Sequence, residues 1–118
     1  MTHAQKPKFR VGMVGCGMQG LCHARSYTHN PRTEVVAGSD PDEANLRRFT
    51  EAFGVPGYSD YNDMLNNEQI DIAAPVLPVR ANADAVVAAA GAGVRAVFCE
   101  KPLTASLEDA DRMVEACR

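Results

Sequence analysis

Two clusters in this chain combine residue types and spacing that could do chemistry. The first is Gly15-x-Gly17-x-x-Gly20, reached through the run Phe9-Arg-Val-Gly-Met-Val14. A short β-type run that feeds three glycines, and then a helix from about Met18, builds an anion site. Gly15 allows the tight turn out of the strand, Gly17 lets backbone approach a diphosphate, and Gly20 lets the helix pack close. The helix start adds unpaired N–H groups and a partial positive charge. Gly15, Cys16, Gly17, Met18, Gln19 and Gly20 are therefore the candidate phosphate cradle. The second cluster is Cys99-Glu100-Lys101-Pro102, which follows the apolar run Ala96-Val97-Phe98. An ammonium there can stabilise a developing alkoxide or donate a proton. Pro102 fixes the local backbone, and Glu100 can pair with Lys101 or accept from a ribose.

Glycines at these intervals also occur in ordinary loops, so context must carry the first cluster. Asp40 supplies it, ending the next apolar run (Glu34-Val-Val-Ala-Gly-Ser39) about 20 residues beyond the glycines. A carboxylate there, with Ser39 beside it, accepts from the ribose hydroxyls of an adenosine and narrows a diphosphate site to a dinucleotide. A 2′-phosphate would face that carboxylate. At ~4 Å two like charges repel by about 1 kcal/mol in water and about 4 kcal/mol at an effective dielectric of 20, so NAD is expected over NADP by roughly tenfold or more. Arg47 or Arg48 would soften that bias by neutralising a phosphate. The competing role for Asp40 is a simple helix cap.

The elements that must position these clusters alternate along the chain. Phe9–Val14 reads as a strand and Met18 to about Asn30 as a helix with Leu21, Ala24 and Tyr27 on one side. Glu34–Asp40 is the second strand. Asp40 as cap, Pro41 at the first helical position and Asp42-Glu43 in the first turn open a helix that buries Leu46, Phe49 and Phe53 and stops at Gly54. Val55–Tyr58 is a short edge strand, and Asp60 or Asn62 starts a small helix through Met64 and Leu65. Ile70–Leu77 is a doubly buried strand, except that Pro75 lacks an N–H and predicts a bulge, an early end or strain. Asn82–Ala92 is an alanine-rich helix and Ala96–Cys99 the fifth strand. Ser106-Leu-Glu-Asp109 is a capping box for a last helix with Leu107, Ala110, Met113, Val114 and Cys117 inward.

Five strand–helix alternations predict an α/β fold: a three-layer Rossmann-type parallel sheet of order 3-2-1-4-5 with helices on both faces. Ligand then sits at the carboxyl ends of strands 1 and 4, where Leu77 and Pro78 line the crevice. The 118 residues make one domain, 9–118, behind a polar lead-in over 1–8, and such a length buries roughly two thirds of the unfolded surface. A net charge of −3 without a Lys/Arg cluster gives no footprint for nucleic acid or an anionic membrane. The four cysteines form no C-x-x-C pair, which suggests reduced thiols and a cytoplasmic setting. The apolar run after the basic N-terminal residues is too short for a signal peptide or a span. Cys16 reads as a small filler or a somewhat acidic thiol at a helix start. His3, His23 and His29 show no metal spacing and read as solvated or capping, with His23 on the pyrophosphate side.

The glycine run, Ser39-Asp40-Pro41, Tyr58-Ser-Asp-Tyr61 and above all Glu100-Lys-Pro-Leu103 followed by Ser106-Leu-Glu108 together resemble the glucose–fructose oxidoreductase / inositol dehydrogenase / rhizopine catabolism (Gfo/Idh/MocA) family. The resemblance covers essentially the whole chain. It implies an NAD(P)-dependent oxidoreductase acting on sugars, cyclitols or related polyols, with Lys101 near nicotinamide and substrate, in proteins that are usually homo-oligomers. Two departures stand out. Where the family has a histidine four residues after the strand-4 proline, here Pro78, this chain has Asn82, which can hydrogen-bond cofactor or sugar but cannot titrate near neutrality. The chain also stops at Arg118, whereas the family continues into a second α/β domain that carries most substrate contacts, an Asp/His pair and the oligomer interface. The expectation is thus a cofactor half that binds NAD with little turnover of its own. The competing readings are a redox sensor or scaffold on the same fold and, more remotely, an S-adenosylmethionine site.

Overall fold

Val11 and Met13 point to one face of the first strand, β1 (Phe9–Val14), and Gly12 and Val14 point to the other, with all four buried. A strand hidden on both sides must lie centrally, and β1 pairs in parallel with β2 (Thr33–Ser39) and with β4 (Ile72–Pro75). The short strands β3 (Gly57–Tyr58) and β5 (Ala96–Val97) close the two sides. This computed structural model describes residues 7–118, and its sheet order is β3-β2-β1-β4-β5, as the alternation predicts. Residues 1–6 of the expected lead-in, His3 included, lie outside the described residues.

Five helices cover the sheet: α1 (Met18–His29), α2 (Glu43–Phe53), α3 (Tyr61–Asn67), α4 (Val79–Gly91) and α5 (Leu107–Ala116). Val11 and Met13 join Leu21 and Ala24 of α1 and Phe49 of α2 in one core; Val14 joins Met64 of α3 and Ala85 of α4 in the other. Burying one such side chain contributes about 1.5–3 kcal/mol, so the two cores anchor both layers to β1. Gly38 in β2 makes room for Phe49, because a Cβ there would lie 2.3 Å from the ring.

Several boundaries differ from the sequence expectation, each for a local reason. The cap of α2 is Asp42, whose side chain accepts from the Asn45 N–H at 3.0 Å, so the helix opens at Glu43 and Pro41 precedes it. Asp40 is left free for another role. Helix α4 starts at Val79, three residues before Asn82, because Pro78 presets the entry and its carbonyl accepts from Ala81 at 2.9 Å. The early end expected at Pro75 is found. Val76 N–H bonds Val14 on the β1 side, so by alternation the donor missing from Pro75 faces β5, the short strand. Strand pairing on that side ends at Val97 rather than Cys99, although Phe98 and Glu100 still donate to Ala73 and Pro75.

The last helix departs most. Ser106 caps α5 through the Asp109 N–H at 3.1 Å, but the Ser106 N–H goes to Thr104, so only half of the capping box forms. Of the five residues expected inward, Met113 is buried and Ala110 partly so, whereas Leu107, Val114 and Cys117 are exposed. Helix α5 rests on α4 through Met113 with Ala83 and Val86, and no other described element covers the rest of its apolar stripe.

Candidate functional site

The glycine turn leaves the carboxyl end of β1 beside that of β4, where the Val76 N–H still bonds Val14 at 2.8 Å. Gly15 has φ +103°, and a Cβ on it would lie 2.3 Å from the Val76 carbonyl oxygen, so it serves both the turn and the close approach of the two strand ends. Gly20 is equally constrained: its Cβ would meet the Gly15 carbonyl oxygen at 2.2 Å, which seats the first turn of α1 on the loop itself.

Gly17 is different. It caps α1 with φ −72° and ψ −168°, a backbone any residue can adopt, and a Cβ there would meet nothing nearer than Asn45 Nδ2 at 4.0 Å. Nothing in the described chain demands a glycine at 17. No side chain caps this helix start, which leaves its first N–H groups to an outside acceptor. That is the geometry of a cradle kept clear for a bound group.

Asp40 supports the cradle from below. It is buried, and its carboxylate accepts from Cys16 N–H at 2.9 Å and Asp42 N–H at 2.8 Å, with Asn45 Nδ2 at 3.5 Å. The simple cap role is therefore excluded: Asp40 ties β2 to the glycine loop while lining the cleft above it. Ser39 is turned inward, donating from Oγ to Met13 at 3.3 Å, and its carbonyl accepts from Gly15 N–H at 2.8 Å. Cys16 is wholly buried, and burial together with the neighbouring Asp40 charge pushes its thiol up to about 12. It is the small filler, not an acidic nucleophile.

The cleft holds about 460 Å³ and is lined by Val14, Gly15, Ser39, Asp40, Pro41, Leu77, Pro78 and Ala81, with Ser59, Asp60, Tyr61 and Asp84. It thus gathers Gly15, Ser39, Asp40, Leu77 and Pro78 from the expected set. Met18 is 70% exposed and Gln19 exposed at the mouth of the loop. Sequence reasoning placed neither Tyr61 nor Asp84 in the cleft. They come from α3 and α4, and only the fold brings these elements to the rim.

The second cluster follows β5 and lies off this cleft. Glu100 Oε2 is 2.8 Å from His23 Nε2 on α1, and Glu100 Oε1 accepts the N–H of Lys101 at 3.1 Å. These contacts, the Lys101 N–H first and His23 second, hold the Glu100 carboxyl below its ordinary 4.5. The Lys101 side chain is exposed, and the peptide bond to Pro102 is cis. Asn82 is 1% exposed, and its Nδ2 donates to the carbonyls of Leu103 at 3.2 Å and Pro102 at 3.4 Å, so it faces the lysine loop rather than the cleft. The partnership of His23 with Glu100 has no local signature, since 77 residues separate them.

Among the described residues there is no group of three metal-ligating side chains, and no helix is long and apolar enough to cross a membrane. Residues 9–118 match the family described as "Oxidoreductase family, NAD-binding Rossmann fold". The chain is 35% identical over 111 residues to a D-apiose dehydrogenase of Paraburkholderia graminis, covering 93% of this chain and 29% of that protein. It is 34% identical to a myo-inositol 2-dehydrogenase of Thermotoga maritima, covering 90% and 32%. Among solved structures, the WlbA dehydrogenase of Bordetella pertussis, crystallised with NADH and UDP-GlcNAcA, superposes with a TM-score of 0.88 at 33% identity, over 93% of this chain and 34% of that one. The chain therefore spans about a third of the length of the relatives it matches.

Proposed function

The chain belongs to the Gfo/Idh/MocA family of NAD-binding oxidoreductases, and from that membership we propose that it binds NAD and presents it for hydride transfer to or from a sugar, cyclitol or related polyol. The observation that carries this reading is Gly17, a glycine whose Cβ would come no nearer than 4.0 Å to any side chain among the described residues, set at a helix start without a side-chain cap and near a buried carboxylate. The space fits a diphosphate against N–H groups, and the 460 Å³ cleft beside Asp40 is of the size that takes a small ligand.

The loop from Gly15 to Gly20 holds the diphosphate, Asp40 accepts from the adenosine ribose, and Leu77 and Pro78 wall the crevice. A bound nicotinamide supplies the hydride acceptor or donor. Lys101 then stabilises charge at the substrate oxygen and donates or receives its proton, while Glu100 and Asn82 hold the loop that carries it. The substrates named for the relatives, apiose and inositol, support the polyol class. In this reading residues 9–118 are the cofactor-binding domain. By themselves they bind NAD with little turnover, and the four free thiols suit a cytoplasmic, reducing setting.

Titration calorimetry with NAD, NADP and S-adenosylmethionine tests the reading. NAD should bind at least about tenfold more tightly than NADP, since a 2′-phosphate would approach the buried Asp40. Absence of any nucleotide binding would overturn it and leave a scaffold; preference for S-adenosylmethionine would replace it.

A further inference from the structure

The acceptor capacity of Asp40 is nearly used up before any ligand arrives. A carboxylate offers about four acceptor positions. Oδ2 already takes the N–H of Cys16 and the amide of Asn45, and Oδ1 takes the N–H of Asp42. About one position remains, whereas an adenosine ribose brings two hydroxyls. For both hydroxyls to reach the carboxylate, one of the existing bonds must give way and its donor must find a new acceptor.

Asn45 fits that need from two directions. Its bond to Asp40 is the longest of the three, at 3.5 Å. The same Nδ2 is also the one described atom within 4 Å of where a Gly17 side chain would stand. The carboxamide thus sits between the ribose-facing carboxylate and the space kept clear for the diphosphate. It is not needed to hold its own helix, because the cap bond from Asp42 goes to the Asn45 backbone N–H. Its Oδ1 takes only a long, exposed bond from Arg48 at 3.5 Å.

We infer that Asn45 is a recognition residue for the adenosine ribose: one hydroxyl donates its proton to Asp40, and the oxygen of that hydroxyl accepts from Asn45 Nδ2. The inference rests on the dinucleotide reading above and adds a residue outside the glycine loop to it. Such a paired contact makes the site sensitive to a single hydroxyl, because deleting that hydroxyl leaves two partners without a bond.

Calorimetry of the full chain with ADP-ribose and with its 2′-deoxyadenosine and 3′-deoxyadenosine counterparts tests this, using Asn45→Leu and Asn45→Ala. Both variants should keep the native circular dichroism spectrum and bind ADP-ribose roughly five- to tenfold more weakly, the loss of one hydrogen bond. On the analogue lacking the contacted hydroxyl, native chain and variants should bind within about twofold of one another, the signature of a pairwise contact. Unchanged ADP-ribose affinity in both variants overturns the inference. So does an equal loss on all three ligands, which would mean that Asn45 acts by holding Asp40, and so does loss of the fold in both variants. A native chain that binds none of the three ligands overturns the dinucleotide reading itself, an outcome distinct from the others.

Discussion

His23 Nε2 on the first helix stands 2.8 Å from Glu100 Oε2 beyond the fifth strand, and the other oxygen of Glu100 accepts the N–H of Lys101. One carboxylate therefore links α1 to the backbone of the lysine proposed to do the chemistry. Because it is partly exposed, its contribution is best read through its pH dependence rather than its size.

Glu100 has its carboxyl held below the ordinary 4.5 in the folded chain. A carboxyl with a lowered folded value contributes stability that is fully present above its unfolded value and disappears as pH falls through the folded value. Urea melts of the native chain and of Glu100→Gln should therefore differ at neutral pH, with the native chain more stable, and should converge in acid below the Glu100 carboxyl. A constant gap at all pH values would assign the effect to packing instead.

Gly17 and Gly20 should separate function from folding. Gly20→Ala drives a Cβ to 2.2 Å from the Gly15 carbonyl oxygen and should cost about 1–3 kcal/mol of unfolding free energy. Gly17→Val sets its Cβ no nearer than 4.0 Å to Asn45 Nδ2 among the described residues and should cost no more than about 1 kcal/mol, the N-cap preference for glycine, while weakening NAD at least about tenfold. Chemical denaturation and calorimetry on the same two samples check both halves. A Gly17→Val chain that binds NAD as the native does would remove the glycine from the site.

Asn82 is buried with Nδ2 on two carbonyls of the lysine loop and Oδ1 without a partner among the described residues. Its orientation follows from chemistry, since exchanging O and N would set oxygen against oxygen. Asn82→Asp makes that exchange chemically and should destabilise the chain by roughly 1–3 kcal/mol, with hydrogen exchange rising first across residues 100–106. Asn82→Ala loses the donor but also the orphan acceptor, so its cost should be smaller. If Asn82→Asp proves as stable as the native chain, Asn82 does not hold the loop.

Much of the fold was legible because its signals are local. The apolar runs of β1 and β2, the Gly54 stop and the Asp60 and Ser106 caps each lie within a few residues of what they control. The α2 boundary was misread because Asp40 and Asp42 both suit a cap, and sequence cannot say which one the glycine loop will claim. The apolar stripe of α5 was read as inward by periodicity, yet periodicity does not say whether a neighbour exists to cover it.

By itself, then, the sequence determined the alternation of strands and helices, the glycine turn and the order in which Asp40 follows the second strand and Lys101 the fifth, since these follow from backbone preference and hydrophobic period. Tertiary structure alone decided which oxygens and nitrogens face each other: Asp40 under Cys16, Asn45 over Gly17, His23 on Glu100, Asn82 beneath Leu103. Most of these pairs join different strands and helices, and separations such as the 77 residues between His23 and Glu100 are closed only by the parallel crossovers. Hydrogen bonds need alignment within a fraction of an ångström, which no residue spacing along a chain can encode.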